Sequence, residues 1–427
     1  MAQNGIGTIH KLDMYSTVTN ARFNITQLIS EISYYESLES PTASMTISIL
    51  DATDFKHSVP ILGNEQLIYS LSDTFDDNVR LFGGMRLYKL ANAMRVKRDT
   101  DSYDLFFTRE HMVQDQYAVV EETMGPMLAS DMVENIVRGI MKSMKMLRCE
   151  KTEGLTVTTF PRVSPFTAID MIASEAKSAR ANSASAYVFY ETNKAFVFST
   201  LDALFEQKPV RTFYYLENQV KSDNAIESSR ILSLEQPRAF DMMGGVASGQ
   251  WGVKISSIDT ISKTFASTTH LYGKSFNDTG HADGTTPLVS DQTQKELATK
   301  ITREKLLVTS AGRATNAYVL SKTPDAAHQY RRRTEFAGRE IVSLSSLMSS
   351  AIKIAVYGNS SLKAGDMIEI FIPATGIRKP GDVKNKLLSG KYLILALCHR
   401  FRGDGTYITT IECAKDSFST KLSGGDF

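Results

Sequence analysis

Leu387 to Lys415 reads LLSGKYLILALCHRFRGDGTYITTIECAK. Leu393, Leu395 and Leu397 alternate with Ile394, Ala396 and Cys398, so both faces are apolar and a buried strand is expected. Arg402-Gly403-Asp404-Gly405 is the turn, its glycines permitting positive φ. The return strand carries Tyr407, Ile408, Ile411 and Cys413, with β-branched Thr409 and Thr410 between. The unit is a β-hairpin.

A similar stretch lies near the other end. Leu81 to Glu110 reads LFGGMRLYKLANAMRVKRDTDSYDLFFTRE. Gly84 falls where Gly390 does, and Leu87, Tyr88 and Leu90 fall on Leu393, Ile394 and Ala396. Upstream, Met45–Leu50 (MTISIL) resembles Ile352–Tyr357 (IKIAVY). Gly63 followed by QLIYSL resembles Gly365 followed by MIEIF. The order is strand, Gly-led strand, Gly-led strand, closing strand, and Gly63, Gly84, Gly365 and Gly390 mark it. Read as an internal repeat, this predicts two copies of a small antiparallel β-barrel in one chain. The alternative is a chance likeness between two antiparallel sheets.

A chain of 427 residues accommodates two to four domains. The formal net charge of +1 implies no general attraction to nucleic acid or anionic membrane. No apolar run approaches the ~20 residues that span a bilayer. The first residues, MAQNGIGTIHKLD, lack a signal-peptide pattern, so assembly in the cytosol without a membrane anchor is expected. Cys149, Cys398 and Cys413 are odd in number and far apart, which reads as free thiols.

Residues 1–110 are strand-rich and mildly acidic, with 10 Lys and Arg against 14 Asp and Glu. Composition then shifts. Ser130-Asp131 with Glu134 looks like a capping box, followed by Met132, Val133, Ile136, Val137, Ile140, Met141 and Met144 at helical spacing. Ser164 and Pro165 are the N-cap and first position of a second helix. YVFY (187–190) and AFVFST (195–200) predict a hairpin across Glu191 to Lys194. Residues 111–209 therefore read as an α+β domain. Strands are expected again at 212–216, 231–234 and 251–255, and the glycines of Met242 to Gly252 suggest a turn or bulge. Residues 270–334 interrupt the second sheet, with a helix expected from Asp291 through Val308. Arg331, Arg332 and Arg333 stand near the end of a stretch, 295–340, with ten Lys and Arg against five Asp and Glu. No aromatic residue interrupts Arg331 to Arg333 to offer base stacking within the run, so a solvated face or a salt-bridged contact with another subunit is the better reading.

Chemistry is absent from the pattern. The seven histidines show no metal-ligand spacing, and neither HExxH nor G-x-S-x-G occurs. The acidic pairs Asp76-Asp77 and Glu121-Glu122 sit in polar stretches, and His399 reads as a core histidine. No catalytic, cofactor-binding or metal residue is assigned.

Two segments carry a resemblance. Ser164 to Leu201 holds SPFTAIDMIASEAKSAR and YVFYETNKAFVFSTL, and Leu388 to Phe418 holds LSGKYLILALCHRF and TYITTIECAKDSF. Both resemble the central baseplate hub proteins of contractile-tailed, T-even-like bacteriophages, similar in fold to the front part of type VI secretion spike proteins. The likeness spans most of the chain, in order. It implies a mainly β fold with α+β parts: a tube-like barrel over 1–110, an α+β domain over 111–209, a second barrel over 210–269 and 335–427, and an inserted domain over 270–334. It implies a homotrimer whose six barrels make a pseudo-sixfold ring between a tail tube and a central spike. Surrounding baseplate proteins would be further partners, DNA would pass only in transit, no cofactor would be needed, and the protein would reside in the virion tail. Asn193-Lys194 departs from the family in having no glycine at the turn. The competing readings are a tube-initiator or spike component of another contractile injection machine, and a cell-wall hydrolase.

Overall fold

The computed structural model describes residues 5–19, 21–59, 61–73, 80–180, 185–215, 228–238, 241–259, 263–285, 303–309, 326–347, 350–374 and 384–419. Alternating residues build the first seven strands: β1 (Gly7–Tyr15), β2 (Arg22–Asn24), β3 (Ile29–Ser37), β4 (Ser44–Asp51), β5 (Gln66–Asp73), β6 (Arg80–Lys97) and β7 (Thr100–Thr108). In β4, Met45, Ile47 and Ile49 are buried while Thr46 and Ser48 take the other face. The strands lie in the order β3-β4-β7-β6-β5-β1-β2.

The middle of the chain supplies β8 (Thr123–Leu128), β9 (Met146–Cys149), β10 (Leu155–Thr159), β11 (Tyr187–Glu191) and β12 (Ala195–Thr200). β8 pairs with β10, and β12 lies between antiparallel β11 and parallel β9. The Pro165–Ala173 helix packs on this sheet. Ser164 caps it, accepting from the Thr167 N–H at 3.4 Å, with Pro165 at the first position as expected. The other helix differs from expectation. It runs Ala129–Asn135 and passes into a π turn over Ile136–Ile140, with Leu128 at the N-cap and no side-chain cap. Met132, Val133, Ile136, Val137 and Met141 are buried, whereas Met144 is 93% exposed and falls outside the stripe.

β13 (Arg211–Tyr214) and β14 (Ile231–Arg238) follow. The glycine-rich stretch is not a bulge but a helix, Met242–Ser248, capped by Asp241 and ended by Gly249 at φ 88. Next come β15 (Gly252–Asp259), β16 (Thr264–Leu271) and β17 (Arg303–Thr309), which form their own sheet in the order β16-β15-β17. Residues 303–309 are a strand paired parallel to β15 rather than the end of a helix, while 286–302 lie outside the described residues. The strands at 252–259 and 264–271 pair within this insertion rather than with the large sheet. The Ala326–Leu347 helix packs against β15 and β16 and contains Arg331, Arg332 and Arg333, whose side chains lie outside the described residues.

The chain closes with β18 (Ser350–Tyr357), β19 (Met367–Phe371), β20 (Gly390–Arg402) and β21 (Tyr407–Lys415). Their order is β14-β18-β21-β20-β19-β13, and pairing of β20 with β3 joins both halves into one 13-stranded sheet. The fold is mainly β with α+β parts. Among the described residues neither half forms a closed barrel; what was expected as two barrels is a strand path with β14 at one end and β2 at the other, and an isolated bridge between Tyr214 and Arg230 brings β13 to the start of β14. His399 is a core histidine, fully buried, with Nδ1 2.8 Å from the Tyr407 hydroxyl, and burial pulls its pKa down to about 4. The three cysteines are free; Cys413 is buried and the other two are half-buried. Glu121 and Glu122 are exposed, and Asp76-Asp77 lies outside the described residues.

Candidate assembly interface

The joint between the halves is made by one long strand. β20 pairs with β19 through Gly390 to Leu393 and, beyond an irregularity after Ile394, with β3 through Ala396 to Arg402. At that bulge the Leu395 carbonyl accepts from the Leu38 N–H at 2.8 Å. At the far end the Gly403 N–H donates to the Ser30 carbonyl at 2.9 Å. A Cβ on Gly403 would stand 2.6 Å from the Ile29 carbonyl oxygen, so this glycine serves close approach while Gly405, at φ 87, serves the turn. Phe401 and Tyr407 stack at 3.9 Å and join the core of the first half. On the outer face Arg400 and Arg402 lie 3.1 and 3.4 Å from Glu31.

The pairing order of the two halves can be compared residue by residue. β3-β4-β7-β6-β5-β1 and β14-β18-β21-β20-β19-β13 are the same sequence of neighbours, except that β13 runs parallel to β19 where β1 runs antiparallel to β5. β6 has an irregularity after Leu87 where β20 has one after Ile394. Aligning the bulges puts Gly83, at φ 154, on Gly390, at φ 139. The expected partner, Gly84, is one residue off. The Gly365 N–H donates to Ile394 at 2.9 Å, and in the first half Asn64, at φ 92, donates to Leu87 at 2.7 Å. Gly63 precedes that position by one residue. Gly63 and Gly365 share positive φ, 85 and 83, but not surroundings. A Cβ on Gly365 would sit 2.0 Å from the Tyr190 hydroxyl, whereas one on Gly63 would meet nothing within 4 Å. Gly63→Ala is expected to cost about 1–2 kcal/mol for left-handed backbone alone. Gly365→Ala adds overpacking, for a total of about 2–5 kcal/mol. Denaturant midpoints of the two variants measure the difference.

A buried polar socket ties the middle domain to both halves. The tip of the β11–β12 hairpin, Thr192-Asn193, enters it. The Asn193 N–H donates to Glu36 at 2.5 Å, and the Asn193 side-chain oxygen accepts from Tyr69 and Arg109, each at 3.3 Å. Glu36 also accepts from the Tyr34 hydroxyl at 3.0 Å and the Ala364 N–H at 3.2 Å, so one carboxyl touches both halves and the middle domain. Glu191, fully buried, lies 2.5 Å from Lys145 and 3.5 Å from Arg109, and accepts from the Ala43 N–H at 3.0 Å. The turn needs no glycine because these partners hold it. Burial pushes the Glu36 carboxyl up to about 7, against the pull of the Ala364 and Asn193 N–H groups. Burial draws Lys145 down to about 8, with Glu191 opposing. None of Glu36, Arg109, Lys145, Glu191 or Asn193 was legible as a site residue, since their only signal is proximity in the fold.

The expected markers end up apart. Gly365 faces Tyr190 beside this socket, Gly390 faces Asp283 of the insertion, and Arg331, Arg332 and Arg333 lie in the Ala326–Leu347 helix. Among the described residues no group of three or more His, Cys, Asp or Glu could hold a metal ion, and no helix is long and apolar enough to cross a membrane.

This fold is shared with solved tail proteins. The chain is similar to the tail protein from Neisseria meningitidis MC58, with a TM-score of 0.56 and 10% identity over 95% of this chain and 96% of that one. It is likewise similar to the 43 kDa tail protein of prophage MuSo2 from Shewanella oneidensis, with a TM-score of 0.56 and 10% identity over 96% and 99%. No family model matches the chain, and no curated protein matches it by sequence. The likeness is thus one of fold, over nearly the whole length of each chain.

Proposed function

We propose that this chain is a structural hub of a contractile phage tail, without catalytic activity, in which three copies join a sixfold tail tube to a threefold spike. The observation that carries this is the doubled pairing order, with β20 of one half sewn onto β3 of the other. A chain holding two like sheets side by side supplies two of six positions around an axis, so three chains match six subunits above and three below. The fold shared with two tail proteins supports the setting. The socket supports a rigid adaptor, because it locks the middle domain to both halves through buried bonds rather than a linker.

On this reading residues 1–110 form the first ring position, and β13, β14 and β18 to β21 the second, with the insertion outside the ring. The basic stretch of the Ala326–Leu347 helix, Arg331 to Arg333 included, contacts carboxylates on a neighbouring baseplate protein. DNA passes through the central hole, whose wall is depleted in Lys and Arg, since duplex DNA carries one charge per ~1.7 Å and basic contacts would hold it. The test is the mass in solution and the particle seen by electron microscopy. Three chains of 47.3 kDa in a threefold ring with a central hole are expected. A monomer with hydrolase activity on cell walls would overturn the proposal.

A further inference from the structure

We propose that residues 89–97 of β6 pair antiparallel with β14 of a second copy of this chain, remaking between chains the joint that β20 and β3 make within one. The inference rests on the ring reading above and names the surfaces that close the ring.

The internal joint is the template. β20 uses its first residues on β19 and, past the bulge, its last residues on β3. β6 repeats the first part: Arg80 to Arg86 pair with β5, the bulge follows Leu87, and Lys89 to Lys97 continue along β7 through two further irregularities, after Ala91 and after Arg95, that β20 does not have on β21. On its other side this outer part of β6 has no strand partner among the described residues. β14 stands on β18 as β3 stands on β4, each with an irregularity after the first pair, between Ile231 and Ser233 and between Ile29 and Glu31. Ile231, Ser233, Leu234 and Glu235 pair with β18 and with no other strand among the described residues, while Arg230, just before them, makes an isolated parallel bridge to Tyr214 of β13. Each chain therefore offers one edge of the β20 type and one of the β3 type, at different places. That is a head-to-tail contact, the kind that closes into a ring.

The surface agrees. Where the internal joint carries Arg400, Arg402 and Glu31, the open edges carry apolar side chains: Met94 is 62% exposed, Val96 51% and Leu232 40%. Exposed edge strands of this kind are templates for pairing with another chain. Pro237 lacks an N–H and is taken as the limit of the pairing. Inside the chain the hairpin tip at Gly403 bonds to Ser30; the corresponding tip after Lys97 would reach Leu232 of the next copy. Leu232 borders a cavity of about 320 Å³, lined also by Ile6, Tyr357 and Tyr407, which can receive that tip.

The register follows. Arg400 stands opposite Ser33. Arg400 pairs with Ile408 as Met94 pairs with Ser102, and Ser33 pairs with Thr46 as Glu235 pairs with Lys353. Met94 of one copy is thus placed opposite Glu235 of the next.

The test uses the full chain carrying Met94→Cys and Glu235→Cys, treated with a short bis-maleimide, beside each single variant and the unaltered chain. Covalent species up to a trimer are expected from the double variant, and covalent dimers but nothing larger from a mixture of the two single variants. Cross-linking of Met94→Cys alone would mean that β6 meets itself across a twofold axis and would overturn the proposal. A threefold ring with no cross-link would overturn the strand pairing and leave the hub reading standing, whereas a monomer at every concentration would sink both. A second variant pair, Val96→Asp with Leu232→Asp, changes exposed side chains only. It is expected to weaken association at least tenfold at an unchanged unfolding midpoint of the isolated chain, and unchanged association would overturn the pairing.

Discussion

Glu191→Ala is expected to destabilise the chain by about 3–5 kcal/mol, the cost of leaving buried charges without their counter-ion. Glu191 is the carboxylate between Lys145 and Arg109, and its removal also takes the acceptor from the Ala43 N–H. Lys145, already drawn down to about 8 by burial, loses the charge that opposes that pull. The reference is Glu412→Ala. Glu412 lies 3.4 Å from Lys353 with both side chains largely in solvent, and its loss is expected to cost no more than about 1 kcal/mol. Denaturant unfolding of both variants decides the matter. Equal costs would mean that the socket contributes no more than a surface ion pair and does not fix the middle domain to the sheets.

The second large effect is on pH dependence, through Glu36. Its carboxyl is raised from 4.5 to about 7 in the folded chain, chiefly by burial. A folded pKa above the unfolded one means that folding favours the protonated acid. The stability this group contributes is full below about pH 4.5, declines as pH rises, and is gone above about pH 7. At about 1.36 kcal/mol per unit the decline is roughly 3 kcal/mol. Tyr34, Lys145, Tyr69, Arg109 and Glu191 surround the site, so the readout is the difference between the unaltered chain and Glu36→Gln, in which their titration largely cancels. That difference should slope between pH 4.5 and 7. A flat difference would show that the Asn193 and Ala364 N–H groups keep the carboxylate ionised in the fold. Because Glu36 touches both halves and the middle domain, the same titration would loosen the joint between them as pH rises.

The sequence and the structure agree best where the physics is local. Ser164-Pro165 started a helix because the cap and the fixed proline φ act within one turn. MTISIL and IKIAVY were matched in the register the structure uses, because each alternates one buried face with one more open face. The match of Gly84 to Gly390 slipped by one residue for the converse reason. Around Leu393 to Leu397 both faces of β20 are largely apolar, so alternation no longer fixes register, and the bulges that do fix it leave no mark in composition. The helix at Met242–Ser248 was missed because its glycines argued for a turn, while its stability comes from the Asp241 cap and packing in the insertion.

By itself the sequence determined most strands of the two halves, the β11–β12 and β20–β21 hairpins, the doubled pattern and the absence of a recognisable catalytic motif, all set by neighbours a few residues apart. Only the tertiary structure decided that the two halves are sheets joined by β20 on β3, and that Asn193 and Glu36 meet in one socket. It also decided which edges are left for another chain. These contacts join residues more than a hundred positions apart, where closing the loop costs entropy that no local pattern encodes and burial of shared surface must offset it.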